Sequence, residues 1–171
     1  MLSDGLFFMG YPMKHRLDKK YMLRAIREAQ KNLSTGDGGP FGACIVKGET
    51  VLAVARNTVL RQDATCHAEM NAIRKASRRM KSFDLSGSFI YSTTEPCPMC
   101  FSAIHWARIE GIAYGTTIAD VHTRGFNELP IPDFTLKKIG KSRVKIVAKF
   151  LRDECEALLC AWDKIKNKRV Y

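Results

Sequence analysis

No apolar run in the 171-residue sequence approaches the roughly 20 residues that span a bilayer. The opening stretch from Leu2 to Met9 is broken by Ser3, Asp4 and Gly5, and no basic region precedes it, so it does not read as a secretory signal. Cysteine is too scarce for a disulfide scaffold: there are six, unevenly spaced. That usage points to the reducing cytosol and leaves any clustered thiols for metal binding or chemistry. Acidic residues are the minority, 17 against 28 basic, for a formal charge of +11. Such an excess favours anionic partners but does not determine a fold. The basic residues fall in four mixed groups, Lys14 to Lys20, Arg74 to Lys81, Lys137 to Lys149 and Lys164 to Arg169. They read as solvated helix faces, with a nucleic-acid track as the sharper alternative. A hydrophobic fraction of 46% and a charged fraction of 26% exclude disorder, collagen-like repeats and a coiled coil.

What is present organises as one domain over residues 18–171, after a flexible leader over 1–17. Asp18 suits the N-cap of a first helix, in which Met22, Ile26, Ala29 and Leu33 recur at helical spacing. The run Thr35-Gly36-Asp37-Gly38-Gly39-Pro40 stops it. Phe41 to Val46 and Val51 to Arg56 read as a hairpin turning at Lys47-Gly48-Glu49. A polar loop follows over 57–65. Cys66 to Met80 reads as a helix with Met70, Ile73 and Ala76 on one side. Phe89 to Thr93 is a third strand, and Pro96 opens a helix running to about Arg108. Ile109 to Gly115 is a fourth strand. Residues 116–142 look irregular, and a loop of that length in a compact domain is usually functional. Val144 to Val147 is a fifth strand. Leu151, Cys155, Leu158, Leu159, Trp162 and Ile165 mark the apolar face of a last helix. This order implies an α/β fold, three layers α/β/α around a five-stranded mixed sheet.

Two segments carry chemistry, Cys66-His67-Ala68-Glu69 and Glu95-Pro96-Cys97-Pro98-Met99-Cys100. Cys97 and Cys100 are three apart, so on the first turn of a helix their sulfurs share a side near the positive end of the helix dipole. Two thiolates and the imidazole of His67 suit zinc, and three protein ligands leave a fourth position open, as in catalytic zinc sites. Glu69 can stand beside such a metal without binding it and move protons as a general acid and base. No second cysteine pair completes a structural four-ligand site; Cys66 reads as a buried thiol. A redox pair would not call for the His-x-Glu helix.

His67-Ala68-Glu69 followed by Pro96-Cys97-Pro98-Met99-Cys100 resembles the paired signature of zinc-dependent deaminases of the cytidine deaminase-like superfamily, over about residues 18–165. The resemblance implies hydrolytic deamination, with zinc activating the water that attacks an amino-bearing ring carbon and Glu69 as the proton shuttle. Gly39-Pro40-Phe41-Gly42-Ala43, Asn57, Ala103 to Arg108 and Gly125-Phe126 are similar to the bacterial guanine deaminases. So is the tail Asn167-Lys168-Arg169-Val170-Tyr171. By that resemblance Phe41 stacks on the base, Asn57 bonds its edge, Trp106 walls the pocket and Glu128 recognises the purine. The same resemblance implies a homodimer that exchanges residues 166–171, with Tyr171 entering the partner's site; the cysteine usage places it in the cytoplasm. The family has two aspartates after Gly-Phe; here Asn127 and Glu128 stand there. Asp120 and His122 flank the same region. The implied reaction is guanine to xanthine plus ammonia. The alternatives are a tRNA adenosine deaminase, another amino-heterocycle or nucleoside deaminase, and, in a different class, a zinc-stabilised nucleic-acid-binding module without catalysis.

Overall fold

The protein is described from a computed structural model over residues 16–171. Of the leader expected over 1–17, residues 1–15 lie outside the described residues, and Leu17 packs against the core rather than standing free. The Asp18 carboxylate accepts from the Lys20 backbone N–H and caps α1 (Lys19–Gln30) as its residue type suggests. A one-turn α2 (Asn32–Thr35) follows and closes on Gly36 in the left-handed region, at φ 66°.

The hairpin is β1 (Gly42–Lys47) and β2 (Thr50–Arg56). Then come α3 (Ala68–Met80), β3 (Ser88–Thr94), α4 (Pro98–Trp106) and β4 (Gly111–Thr116). After them lie α5 (Ile118–His122), α6 (Asp133–Ile139), β5 (Lys145–Val147) and α7 (Arg152–Asp163). The five strands lie in the order β2-β1-β3-β4-β5. β1 is antiparallel to β2 and β3, and β3, β4 and β5 run parallel, so the sheet is mixed as expected.

Both faces of the sheet are covered, which is why the middle of β1 and all of β3 and β4 are buried. Strand alternation divides the core. Ala43, Ile45, Ile90, Ile112 and Tyr114 face α3 and α4 in one cluster, while Cys44, Val46, Phe89, Tyr91 and Ala113 face α1 and Cys155 of α7 in the other. Gly42 lets α1 sit close: a Cβ there would meet the Ala25 carbonyl oxygen at 2.1 Å.

Three expectations need correction. The sheet-facing stripe of α3 is Ala68, Ala72 and Ala76, with Met70 and Ile73 only half-buried. Small side chains let the helix approach β1 and β2, and the larger ones fall to its flank. The helix expected from Pro96 starts at Pro98, with Cys97 as its N-cap at φ −66° and ψ 167°. Proline suits the first helical position and drives the residue before it into extended backbone. Residues 116–142 are not irregular throughout: they hold α5, closed by a Thr117–Asp120 capping box, and α6. Both helices are too short to show a clear period.

Candidate active site

His67 and Cys97 are the N-cap residues of α3 and α4, and neither caps its helix with a side-chain hydrogen bond. Their side chains are turned instead toward a shared point. One donor atom each from His67, Cys97 and Cys100 lies within 4.8 Å of the other two, and the Cys97 Sγ is 3.6 Å from His67 Nδ1. Two helix N-termini therefore converge on the site, and their dipoles favour negative charge there. A hydrogen bond with the Cys100 thiol and the His67 imidazole bring the Cys97 thiol down to about 4. Burial pushes the Cys100 thiol well above its usual range. Burial opposes the charged form of His67, but its pairing with Cys97 outweighs this and raises the imidazole. One thiolate, a second thiol beside it and an imidazole form a compact soft donor set that fits zinc, with only three protein ligands.

Glu69 sits in the first turn of α3, 6% exposed. One carboxylate oxygen accepts from Ser92 Oγ on β3 at 2.7 Å, and the other accepts from the Cys100 thiol at 3.5 Å. Burial raises its proton affinity. A carboxylate held against the metal donors and favouring its protonated form is placed to take a proton and give it back. Cys66 is a buried thiol donating to Gln62 Oε1 at 3.0 Å, outside the donor set as expected.

A second wall is assembled from distant segments, close enough that Tyr171 feels the charges of Glu128 and Glu69. Asn57 Oδ1 accepts from the Val59 backbone N–H at 3.1 Å and from the Tyr171 hydroxyl at 2.6 Å. The Tyr171 oxygen itself accepts from the Gly39 N–H at 3.0 Å. Backbone N–H groups can only donate, so the amide orientation is fixed, and the Asn57 NH2 has no partner among the described residues. Tyr171 packs edge-on to Phe126, with ring centroids 5.5 Å apart, and Phe126 packs on Phe41 at 5.0 Å. Gly38 and Gly39 allow this closeness: a Cβ on Gly38 would meet Asn57 Oδ1 at 2.1 Å, and one on Gly39 would meet the Phe41 ring at 2.4 Å. Glu128 is half-buried on the loop after α5. Burial, then the negative Cys97, raise its carboxyl to about 7, and it also feels the charges of His67 and Glu69.

One expected placement fails. Trp106 is 78% exposed at the far end of α4. A rise of 1.5 Å per residue puts it roughly 13 Å along the helix from Cys97, so it does not wall its own chain's pocket. Within one chain, Tyr171 lies against Gly39, Asn57 and Phe126. Residues 164–170 turn back after α7, with Asn167 at φ 61° and Lys168 Nζ on the Asp163 carbonyl, and the main-chain oxygen of Tyr171 accepts from the Asn127 N–H at 2.9 Å. Asp120 is engaged with Thr117 and Arg152, and His122 is exposed.

The sequence reading missed the residues that hold these walls. Asn32, 1% exposed, donates through Nδ2 to the carbonyls of Gly39 and Asn57, both at 2.8 Å, and accepts from Arg56 Nε at 2.8 Å. Ser92 orients Glu69, and Glu95 and Asp133 are buried nearby. Only Glu95 had a sequence signal, its place inside the cysteine segment.

Residues 15–116 match the family described as the cytidine and deoxycytidylate deaminase zinc-binding region. The guanine deaminase of Bacillus subtilis is 35% identical over 155 residues, covering 88% of this chain and 97% of that protein. A tRNA-specific adenosine deaminase of Buchnera aphidicola is 33% identical over 162 residues, covering 92% and 99%. A protein solved in complex with 8-azaguanine superposes with a TM-score of 0.76 at 26% identity, covering 84% of this chain and 82% of that one. With the His-Cys-Cys donors and buried glutamate in place, these matches establish that the chain belongs to the cytidine and deoxycytidylate deaminase family of zinc-dependent hydrolases that cleave C–N bonds.

Proposed function

We propose that this enzyme deaminates a free amino-purine, guanine first, giving xanthine and ammonia. The observation that carries the reading is the second wall. Asn57 offers only donors to a ligand, Glu128 feels the charges of Cys97, His67 and Glu69, and Phe41, Phe126 and Tyr171 pack on one another. That set suits a flat base with an acceptor on one edge. The full-length similarity to a guanine deaminase supports the same choice.

In this reading His67, Cys97 and Cys100 hold the zinc. When bound, the metal supplies Lewis-acid activation of the attacking water. Glu69 takes the proton from that water and delivers protons to the ring nitrogen and the departing amine. A C–O bond forms at the amino-bearing carbon, the C–N bond breaks, and nitrogen leaves as ammonia. Ser92 keeps the Glu69 carboxylate aimed. Asn57 and Glu128 orient the base, and the aromatic wall excludes water. We read the enzyme as a homodimer, since Trp106, Phe134 and Ile139 expose apolar surface at 78%, 49% and 77%. A tail exchanged between copies would keep the Tyr171 contacts while crossing over through residues 164–170. Six free thiols suit a reducing, cytoplasmic setting. Among the described residues no helix is long and apolar enough to cross a membrane.

The second reading, a tRNA adenosine deaminase, is favoured by the Buchnera similarity and the +11 charge. Ammonia release measured on guanine, guanosine, adenine, cytosine and tRNA separates the two. Turnover of guanine with inert tRNA supports the first. Inert guanine with inosine formed in tRNA overturns it.

A further inference from the structure

Glu95 follows the last residue of β3 and is 6% exposed, yet among the described residues it meets no side-chain cation. Its backbone N–H continues the β3–β4 ladder onto the Thr116 carbonyl at 2.8 Å. One carboxylate oxygen accepts from the Ile118 N–H at 3.1 Å, and the other accepts from the Asp133 N–H at 3.0 Å. Ile118 is the first residue of α5 and Asp133 the first of α6. The first N–H groups of a helix have no partner within it. Residue Pro132, at the N-cap of α6, offers no side-chain acceptor, and Glu95 takes that place from a different strand.

The two donors are the ends of one segment. Everything between them, α5 and the loop over 123–132, closes on a single carboxylate. That loop carries Phe126 and Glu128. We propose that Glu95 is a positioning residue: its carboxylate staples both ends of segment 118–133 and so holds Glu128 against the base. The proposal rests on the reading that Glu128 faces the substrate. A buried carboxylate is a costly choice for a strand end. Two charge-assisted bonds to backbone N–H groups at fixed points explain it, because a carboxylate accepts at both oxygens and no neutral side chain of this length does. Arg124, through Glu156 and Asp163, and the Tyr171 backbone also restrain the segment, but they act on its interior and not on its ends.

Glu95→Gln keeps the shape and one acceptor while turning an NH2 group toward the other N–H. Amide exchange by mass spectrometry on the zinc-loaded protein should show protection over 118–133 falling about tenfold, as loss of one charge-assisted bond implies, with β1 and α1 unchanged. The KM for guanine should rise about tenfold while kcat changes less than about threefold, as for lost uniform binding. In a Glu128→Gln background the same substitution should leave KM nearly unmoved. Asp133→Pro is a second route that leaves Glu95 intact. It deletes one donor, proline is tolerated at the first helical position, and Pro132 already has φ −63° and ψ 148°. The exchange result should be the same. Unchanged protection in both variants overturns the staple, and so does zinc loss in Glu95→Gln, which would put its role at Cys97. An equal KM effect with and without Glu128 overturns the link to substrate. If guanine proves inert, the exchange arm still reads the staple by itself.

Discussion

The two walls of the site are built on different principles. The metal wall stands on regular structure: two helix N-termini and the strand β3 place His67, Glu69, Ser92, Cys97 and Cys100. The recognition wall stands on loops and on the chain end that packs there, and its contacts join residues far apart in sequence, such as Gly39 with Tyr171 and Asn57 with Tyr171. The first wall inherits its precision from the core beneath it. The second gets it from buried polar residues that act as ties, Asn32 on one side and Glu95 on the other. On the proposed reading, chemistry is placed on the rigid part, and substrate choice on the part that a few substitutions can reshape.

Breaking the metal wall should cost most. Cys97→Ala removes a donor, so zinc content by elemental analysis should fall from one per chain toward zero and turnover should vanish, with a lowered melting temperature. Full zinc occupancy would break the assignment. Glu69→Gln separates metal from proton transfer: zinc and fold should stay, and kcat should fall roughly 10²–10⁴-fold. A variant within tenfold of the parent would remove Glu69 from the shuttle role. On the recognition wall effects should be smaller. Tyr171→Phe keeps the ring on Phe126 and removes the link from Gly39 to Asn57. One neutral hydrogen bond is worth about 1 kcal/mol, so kcat/KM for the base should drop roughly fivefold with zinc unchanged. A loss as large as that of Glu69→Gln would show that the hydroxyl touches the reacting atoms, and the contrast between the walls would fail.

The metal wall was legible because its ligands are local. His-x-Glu and Cys-x-x-Cys each sit within one helical turn, so residue type and spacing alone placed four side chains. The succession of strands and helices along the chain was legible for the same reason, from alternation and turns. The recognition wall was legible only through family resemblance, which brought Asn57, Phe41, Glu128 and Tyr171 together but misplaced Trp106. That error could not be read from periodicity, because it depends on the length of α4. Asn32, Ser92 and Asp133 were invisible, since a buried tie has no sequence period and its partners are mostly backbone atoms. Glu95 lay in plain view within the cysteine segment, but its partners lie 23 and 38 residues away.

The smallest effect on catalysis probes a residue between the walls. Asp133 is fully buried, and neither carboxylate oxygen has a partner among the described residues. Burial, then the nearby Glu95, Glu69 and Cys97, push it from 3.8 to about 9. At neutral pH it is therefore a neutral acid, which spares the site another buried anion beside Glu95. Between these two values the folded chain holds a proton that the unfolded chain has lost. Its contribution to stability is thus fully present below about pH 4 and declines as pH rises toward 9, by up to roughly 1.4 kcal/mol per unit. Asp133→Asn cannot ionise, so it should remove that decline. Near pH 5 the variant should melt within a few degrees of the parent, because both carry a neutral polar side chain there. Toward pH 9 it should become the more stable of the two, while its zinc content and Glu69 chemistry stay intact. Melting curves of both proteins across this range decide the matter. If they run parallel, Asp133 titrates in its ordinary range, and the carboxyl must have a partner that offsets its burial.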